Sequence, residues 1–287
     1  MKTKLWVTGA KGQLGQSLAK YIDPKNYAIL WTDYPEGDIT QAKVVEQLFE
    51  KHSFDLVINC AAYTAVDLAE SEPEKARAIN VTGVQNIVDA CSAHKASLIH
   101  ISTDFVFDGT VKKPLTEAEP PNPQSVYGHT KWEGEQIVLN SDLTAAVLRT
   151  SWLFSEFGHN FVKTMLRLGR EKSEISVVND QIGTPTYASD LAQVVIQMLS
   201  KISELKQPEI FHFSNRQPCS WFDFATEIMK QGRLACRVKP VPTTDYPSPA
   251  KRPPYSVLQT QKIEDFLDLK NRSWQEALRE CLNHIHP

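Results

Sequence analysis

The fold of this chain follows from one stretch near its N-terminus, Leu5-Trp6-Val7-Thr8-Gly9-Ala10-Lys11-Gly12-Gln13-Leu14-Gly15. Its first three residues predict a short buried strand, and the glycines that follow have the spacing G-x-x-G-x-x-G. The pattern from Leu14 to Ile22 then predicts a helix. Glycines at a strand-to-helix turn let the backbone approach a pyrophosphate at the positive end of the helix. The stretch therefore predicts the first unit of a dinucleotide-binding sheet, with Gly9 and Gly12 against the ligand.

The same alternation continues through the first half of the chain. Further strands are predicted at 28–31, 56–58, 98–101 and 145–148, and further helices at 44–51, from 73 to 91 and at 126–139. Strands that are apolar along their whole length are buried on both faces, as in parallel sheets covered by helices. The sequence therefore predicts an α/β fold, a doubly wound parallel sheet of the Rossmann type.

The second half is less regular and predicts a smaller C-terminal lobe that binds substrate. Prolines cluster from Pro240 to Pro254, which indicates a long irregular connection of the kind that often carries function. A final helix is predicted from Trp274 to Ile285, with Ser273 and Glu276 as a capping box. We expect a dinucleotide-binding domain over residues 1–150, completed by about 176–214, and a nucleotide-sugar-binding lobe from 151–175 and 215–287.

Composition excludes several classes of function. The chain has 287 residues and a formal net charge of −3, so general attraction to nucleic acid or membranes is not expected. No apolar run is long enough for a signal peptide or a membrane span. Five scattered cysteines without a C-x-x-C pair favour reduced thiols and a cytoplasmic location. The histidines form no H-E-x-x-H motif and no Cys/His cluster, so no metal site is expected.

Two stretches beyond the glycine turn are candidates for cofactor binding. Asp33 ends the second predicted strand, where a carboxylate can accept hydrogen bonds from ribose hydroxyls and repels a 2′-phosphate. This favours NADH over NADPH only weakly, because Lys11 and Lys25 can offset the repulsion. Asn59-Cys60-Ala61-Ala62-Tyr63-Thr64 follows the third strand, and its small residues let the backbone pack against a dinucleotide or a helix.

Tyr127 and Lys131 are four residues apart in a predicted helix and so lie on one face of it. We expect the ammonium group to lower the pKa of Tyr127, which then protonates an oxyanion as hydride reaches a carbonyl. Ser102-Thr103-Asp104 follows the fourth strand, at the edge where such sheets bind ligands. A hydroxyl there can hydrogen-bond a substrate carbonyl and the tyrosine. Together with the glycine turn, these residues predict a carbonyl reductase.

Two further residues are candidates for holding a substrate. Trp152 follows a strand end, where an indole can stack on a sugar face or pack in the core. Arg252 lies in the proline-rich connection, where its guanidinium can bind paired diphosphate oxygens or stay a solvated loop residue.

Several motifs together point to a known family. They are Thr8 to Gly15, Asn59 to Glu72, Ser102 to Gly109, Tyr127 to Glu135, Arg149 to Leu153, Asp180 to Thr186, and Arg252-Pro253 with Ser256. With these motifs the chain resembles the extended short-chain dehydrogenase/reductase superfamily and, within it, the dTDP-4-dehydrorhamnose reductase family. The resemblance covers nearly the whole chain, and Asp-Gln-x-Gly-x-Pro-Thr at Asp180 is especially specific.

The resemblance implies hydride transfer from NADH or NADPH to C4 of dTDP-4-dehydro-L-rhamnose, giving dTDP-L-rhamnose. It implies a catalytic set of Thr103, Tyr127 as proton donor, and Lys131, which also bonds the nicotinamide ribose. It implies contacts to the sugar nucleotide from Thr103, Asp104 and Trp152. The dinucleotide would lie on Gly12, Gln13, Leu14, Asp33, Asp38, Ile39, Ala62, Tyr63 and Thr64.

Some members of the family bridge their dimer with Mg²⁺ through glutamates. The corresponding position in the first helix reads Gln16-Ser17-Leu18 here, without a carboxylate. This argues against the metal and against a bridged dimer, and it leaves open whether the chain forms a homodimer at all.

Two other functions stay open at this point. One is a nucleotide-sugar epimerase or dehydratase of the same superfamily, although dehydratases place a glutamate where this chain has Phe105. The other is a non-catalytic NADP-binding subunit resembling the regulatory beta subunit of methionine adenosyltransferase. The presence of Thr103, Tyr127 and Lys131 together favours the reductase.

Overall fold

The computed structural model describes residues 2–285. Its strands are β1 (Thr3–Thr8), β2 (Tyr27–Trp31), β3 (Leu56–Asn59), β4 (Ser97–Thr103), β5 (Ala145–Thr150), β6 (Leu153–Phe154), β7 (Glu174–Val178), β8 (Ile182–Gly183), β9 (Thr186–Tyr187), β10 (Glu209–His212), β11 (Cys219–Ser220) and β12 (Arg237–Val241). Its α-helices are α1 (Gln13–Tyr21), α2 (Ala42–His52), α3 (Val66–Ala69), α4 (Pro73–Arg77), α5 (Gly83–His94), α6 (Val126–Leu139), α7 (Phe161–Glu171), α8 (Ala188–Lys201), α9 (Trp221–Gln231), α10 (Gln261–Leu267) and α11 (Trp274–Ile285).

The central sheet is parallel throughout, with the strand order β10-β5-β4-β3-β1-β2. The chain runs outward from β1 to β2 and then returns to the other side of β1 with β3. Such a reversal opens a crevice at the carboxyl ends of the strands, which is where doubly wound sheets bind ligands. The prediction of a Rossmann-type parallel sheet is confirmed.

Both faces of the sheet are buried, as the unbroken apolar strands predict. Leu5 and Val7 point into a core shared with α1, α8 and α10. Trp6 points to the opposite face, into a core shared with α2, α5 and α6. The alternation along β1 thus places one helical layer on each face.

The predicted helix from 73 to 91 is interrupted. Pro73 occupies the first turn of α4, where its missing N–H costs nothing. A π-helical turn, Ala78–Thr82, then joins α4 to α5. Such turns bulge one residue out of the helix and often occur at functional sites. Here the residue in the bulge is Asn80, which is buried and makes contacts described below.

The smaller strands and α7, α9 and α11 surround a second core. The short pairs are β7 with β12, β6 with β9, and β8 with β11. The capping box of α11 is confirmed: Glu276 N–H donates to Ser273 Oγ, and Ser273 N–H donates to the Glu276 carboxylate. The prediction of an irregular chain from Pro240 onward is wrong at its start, because Pro240 and Val241 end β12. The domain boundaries drawn above stay a prediction.

Residues 254–259, called here the crossing segment, run over the carboxyl edge of the sheet. Ile182 N–H donates to the Pro254 carbonyl, and Ser256 N–H donates back to the Ile182 carbonyl. Further along, Leu115 N–H donates to the Val257 carbonyl. These bonds fix Ser256, which is buried, near the end of β4.

Candidate active site

The glycine-rich turn after β1 forms an open cradle at the N-terminus of α1. Gly9 has φ of +62°, and a Cβ on it would lie 2.8 Å from the Ala61 nitrogen. A Cβ on Gly15 would lie 2.5 Å from the Gly9 carbonyl oxygen. A Cβ on Gly12 would meet only that same oxygen, at 3.2 Å. Gly9 therefore lets the turn pack against the segment after β3, and Gly15 lets α1 pack against the turn, whereas Gly12 keeps clear the space that a pyrophosphate would use.

Asp33 lies beside this cradle at the end of β2. Its Oδ2 accepts a hydrogen bond from Lys11 N–H at 2.8 Å, and its Oδ1 accepts one from Tyr34 N–H at 2.9 Å. The carboxylate thus shapes the glycine turn and still has lone pairs for ribose hydroxyls. The turn offers backbone N–H donors for a pyrophosphate, and this carboxylate offers acceptors for ribose hydroxyls.

Four other residues that are expected at the cofactor have side chains that pack against, or hydrogen-bond with, other parts of the protein. Leu14 is buried in the core under the sheet, and Ile39 packs on Gly83. Asp38 Oδ1 accepts hydrogen bonds from Thr40 N–H and Oγ1. Gln13 Oε1 accepts from Ser155 Oγ at 2.8 Å and from Asn160 Nδ2 at 2.9 Å. The role of these four residues at the cofactor stays a prediction.

The segment after β3 is held by Asn80, which the sequence analysis missed. Asn80 Oδ1 accepts from Tyr63 N–H at 2.9 Å, and its Nδ2 donates to Thr130 Oγ1 on α6 at 3.0 Å. Tyr63 in turn donates its phenol proton to Glu72. Ala62 is half-buried and Thr64 is exposed at the same edge. In the sequence, the only sign of this role was the amide of Asn80 inside the helix predicted from 73 to 91. The amide became informative once the structure showed the π-helical turn around it.

Thr103 and Asp104 stand at the carboxyl end of β4. Thr103 Oγ1 donates to Asp104 Oδ1 at 3.1 Å and accepts from Phe105 N–H at 3.2 Å. Burial raises the pKa of Asp104 to about 6, against the hydroxyls of Ser256 and Thr103, which act to lower it. Asp104 Oδ2 is buried without a hydrogen-bond partner among residues 2–285.

Tyr127 lies in the first turn of α6, two residues after the N-cap Ser125, whose Oγ accepts from Gly128 N–H. Its ring packs edge-on against Phe105, with ring centroids 5.5 Å apart, and the Thr103 hydroxyl is near enough to act on the pKa of its phenol. Burial raises the pKa of Tyr127 to about 12. The expectation of a lowered pKa is therefore wrong for the protein without ligand, because burial outweighs any effect of the lysine. A tyrosine that stays protonated suits a proton donor.

Lys131 lies one turn further along α6 and is also buried. Its Nζ donates to the Ile101 carbonyl on β4 at 2.6 Å. Burial lowers the pKa of Lys131 to about 8, against the attraction of Glu135 and Cys60. The lysine therefore bridges α6 to β4 beside the end of β3. The structure thus brings Thr103, Tyr127 and Lys131 together, as the sequence predicts.

Behind this set lies a buried ion pair that the sequence analysis missed. Arg149 donates to both carboxylate oxygens of Glu135, with distances of 2.9 and 2.6 Å, and both side chains are fully buried. His212 lies against Arg149, and burial lowers the pKa of His212 to about 3. The pair ties α6 to β5 and so fixes the helix that carries Tyr127 and Lys131. Arg149 at the end of an apolar strand was the available signal.

Trp152 has positive φ, at 48°, and stacks on Trp221 with ring centroids 3.5 Å apart and planes 8° apart. A Cβ on Gly183 would lie 2.5 Å from its ring. One indole face is therefore covered by Trp221, and glycine is needed at 183 to make room for the ring. A sugar contact from Trp152 stays a prediction.

Arg252 forms a bidentate ion pair with Asp67 of α3. Nη1 donates to Oδ1 at 2.9 Å and Nη2 to Oδ2 at 2.7 Å. These hydrogen bonds hold the pKa of Asp67 below its usual value. The guanidinium that the sequence analysis assigned to a diphosphate thus has a protein partner in the structure.

Residues 2–285 contain no cluster of three or more histidine, cysteine or acidic side chains that could hold a metal ion. In the same part of the chain, no helix has the length and apolar character needed to cross a membrane.

A doubly wound parallel sheet with this glycine turn and this Thr-Tyr-Lys set defines an extended short-chain dehydrogenase/reductase. Comparison with known proteins gives the particular family. The chain belongs to the family described as the RmlD substrate binding domain, whose model matches residues 3–286.

Several relatives that match nearly the whole chain are named dTDP-4-dehydrorhamnose reductase. The dTDP-4-dehydrorhamnose reductase of Aggregatibacter actinomycetemcomitans is 42% identical, over 96% of this chain and 97% of the relative. The crystal structure of a dTDP-4-dehydrorhamnose reductase from Clostridium acetobutylicum is 40% identical, with a TM-score of 0.94 over 99% of this chain and 100% of that one. The Bacillus anthracis reductase, solved in complex with NADP, is 40% identical with a TM-score of 0.93 over 99% of each chain. The resemblance inferred from the motifs is confirmed.

Proposed function

We propose that this protein is a dTDP-4-dehydrorhamnose reductase, which reduces C4 of dTDP-4-dehydro-L-rhamnose to give dTDP-L-rhamnose. The observation that carries the proposal is the convergence of Thr103, Tyr127 and Lys131 beside an open glycine turn. Relatives of similar length that are named dTDP-4-dehydrorhamnose reductase support the substrate class.

A bound NADH or NADPH would supply the hydride. Gly12 and the N–H groups at the start of α1 would hold its pyrophosphate, and Asp33 a ribose. Lys131 would bond the nicotinamide ribose from its position under β4. The NADP in the Bacillus anthracis relative supports this class of cofactor.

Tyr127 is the proton donor in this proposal. The Thr103 hydroxyl is near enough to act on the pKa of the Tyr127 phenol, and both hydroxyls would meet the substrate oxygen. Because burial keeps the phenol protonated, it can deliver a proton to an oxyanion that forms there. Asp104 and Trp152 would contact the sugar and Arg252 the diphosphate, from the side of the second core.

We also propose that no metal bridges a dimer of this chain. The position that carries a glutamate in metal-bridged relatives reads Gln16-Ser17-Leu18. All five cysteines are free thiols, which supports the cytoplasm, where the reducing environment keeps them so.

The experiment is a coupled assay that generates the 4-keto-6-deoxysugar nucleotide in place and follows the absorbance of NADH or NADPH. We expect the absorbance to fall only when the sugar nucleotide is present. Interconversion of sugars without net oxidation of added cofactor would instead indicate an epimerase. Tight NADP binding with no turnover would indicate a regulatory subunit.

A further inference from the structure

Glu70 links the end of α3 to the first turn of α6, the turn that carries Tyr127. Its Oε1 accepts a hydrogen bond from Val126 N–H at 2.8 Å, across 56 positions of sequence. We propose that Glu70 is a positioning residue for the reaction, which holds this turn so that the Tyr127 phenol meets the substrate oxygen. The inference rests on the proposed function, in which Tyr127 donates the proton.

The first turn of α6 needs acceptors from outside the helix, because the N–H groups that open a helix have no partner within it. Ser125 supplies one acceptor, since its Oγ binds Gly128 N–H at 3.1 Å. Val126 N–H is met by Glu70 instead, and a carboxylate at a helix N-terminus is also favoured by the helix dipole. Ser125 moves with the turn, whereas Glu70 belongs to another element. Glu70 therefore fixes where the turn lies, and not only its local shape.

The Tyr127 ring packs against the same element that carries Glu70. It belongs to one apolar cluster with Ala69 and Ala76, which are both fully buried. Ala69 directly precedes Glu70 in the chain. The packing of the ring and the hydrogen bond to Val126 therefore hold one turn of α6 against one stretch of chain.

The other side of the turn touches the end of β4. A Cβ on Gly128 would overlap the Phe105 carbonyl oxygen, so the backbone of α6 is in direct contact with the chain that follows Thr103. Because β4 blocks movement on this side, a turn that is released from Glu70 can shift only away from Thr103. Such a shift separates the Tyr127 and Thr103 hydroxyls that would meet the substrate oxygen together.

The support is itself anchored. A helix as short as α3 does not hold its shape alone in water. Asp67 binds Arg252 through two hydrogen bonds and accepts a third from Ala250 N–H at 3.3 Å. At its other end, Glu72 N–H donates to the Leu68 carbonyl at 2.9 Å. These contacts make α3 a fixed point from which Glu70 can hold α6.

Substitutions separate the acceptor oxygen of Glu70 from its charge. Glu70→Gln keeps the oxygen, so kcat for the 4-keto sugar nucleotide should stay within about threefold of the parent. Glu70→Ala removes the oxygen, and kcat should fall roughly ten- to a hundredfold, because a misplacement of about 1 Å is enough for such a loss. The KM for NADPH should change little in either variant. Glu74→Ala, at an exposed position on α4, is the control and should keep the parent kinetics.

A double-mutant cycle distinguishes positioning of Tyr127 from a general loss of stability. In a Tyr127→Phe background the phenol is gone, so its position no longer matters. Adding Glu70→Ala to Tyr127→Phe should therefore lower the residual kcat by less than about threefold. An equal loss of kcat in both backgrounds means that Glu70 acts by another route, and it overturns the inference.

The melting temperature and a cofactor titration identify a variant that fails to fold. In that case Glu70→Asp replaces Glu70→Ala, because its carboxylate is one methylene shorter and draws the acceptor away from Val126 N–H. Glu70→Asp should then have a lower kcat than Glu70→Gln, although it keeps the charge that Glu70→Gln lacks. The reverse order would show that the charge matters and not the position, and it overturns the inference.

The outcomes separate the inference from the proposed function. A parent that reduces no 4-keto sugar nucleotide overturns the function and the inference with it. An active parent whose Glu70→Ala variant folds and keeps its kcat overturns the positioning role alone.

Discussion

Arg252 and Asp67 are 185 positions apart in sequence and share two parallel hydrogen bonds. The carboxylate binds the guanidinium in the same bidentate geometry that a phosphate would adopt. The pair stands at the carboxyl edge of the sheet, between α3 and the segment that leads to Ser256. Asp67 therefore binds the Arg252 guanidinium, which the sequence assigned to the sugar diphosphate. Mutation can separate the role of Arg252 in this ion pair from its proposed role in binding the diphosphate.

Arg252→Ala should raise KM for the sugar nucleotide roughly ten- to a hundredfold, as expected for the loss of a charged hydrogen bond. The dinucleotide dissociation constant should stay within about a factor of two. Asp67→Asn should tighten dTDP binding up to about fivefold, because it removes a negative charge beside the diphosphate. Calorimetry with each ligand separately measures both effects, with Arg279→Ala on the exposed face of α11 as control. Weaker dTDP binding in Asp67→Asn would show that the ion pair positions Arg252 for the ligand.

Tyr127→Phe should lower kcat by ~10²–10⁴-fold, the usual contribution of a general acid. Its fold and cofactor affinity should survive, because the ring keeps its edge contact with Phe105. Steady-state kinetics and cofactor titration test this, and Tyr27→Phe at the start of β2 is the matched control. A Tyr127→Phe enzyme within threefold of the parent would remove the tyrosine from the mechanism.

Lys131 should make cofactor binding depend on pH. Burial lowers its pKa to about 8, so the ammonium is present below that pH and is lost as pH rises through it. Affinity for NADPH should therefore fall between pH 7 and 9 in the parent. Lys131→Met should bind weakly throughout this range and turn over slowly, because it loses both roles. A titration series by fluorescence measures the dissociation constants, and a pH-independent parent would contradict the assignment.

Asp33 should set the choice between the two nicotinamide cofactors. We expect the parent to use NADH at least as well as NADPH, because the carboxylate repels a 2′-phosphate. Asp33→Asn keeps an acceptor for Lys11 N–H, whereas Asp33→Ala removes it. Both should move the ratio of kcat/KM values toward NADPH, and Asp33→Ala should also weaken both cofactors. A strong preference of the parent for NADPH would exclude Asp33 as the ribose ligand.

Arg149 should matter for stability more than any exposed arginine. Arg149→Met leaves Glu135 buried without its partner, which typically costs about 3–5 kcal/mol. The exposed pair Arg167 and Glu171 on α7 provides the contrast, and Arg167→Met should change the free energy of unfolding by less than about 1 kcal/mol. Urea denaturation of the two variants decides this. Equal losses would mean that burial does not control the strength of these pairs.

The sequence predicted the features that depend on local pattern. Apolar runs such as Leu56–Asn59 have one physical solution in a parallel sheet, and the predicted bounds of α6 agree with the structure. The Tyr127–Lys131 spacing placed both side chains correctly because helical geometry alone determines it.

What the sequence did not predict depends on contacts between distant segments. Asn80 became meaningful only through the π-helical turn, which no residue pattern announces. The prediction of a lowered pKa for Tyr127 was wrong because burial outweighs the charge of Lys131. Burial is a property of the packed molecule and cannot be read from the spacing of the two residues. The ion pair of Arg252 was not predicted, because its partner, Asp67, lies 185 positions away in the sequence.

The Gln13 amide joins the glycine turn to Ser155 and Asn160, close to Trp152. The two ligands would therefore bind on either side of one shared side chain. Movement of the glycine turn toward a pyrophosphate would displace the segment that follows Trp152, through the hydrogen bonds of Gln13. Movement of that segment would likewise displace the turn. Such a linkage is a coupling free energy, and thermodynamic reciprocity requires each ligand to change the affinity of the other by the same factor. In this protein a single glutamine would then couple the affinity for the cofactor to the affinity for the sugar nucleotide.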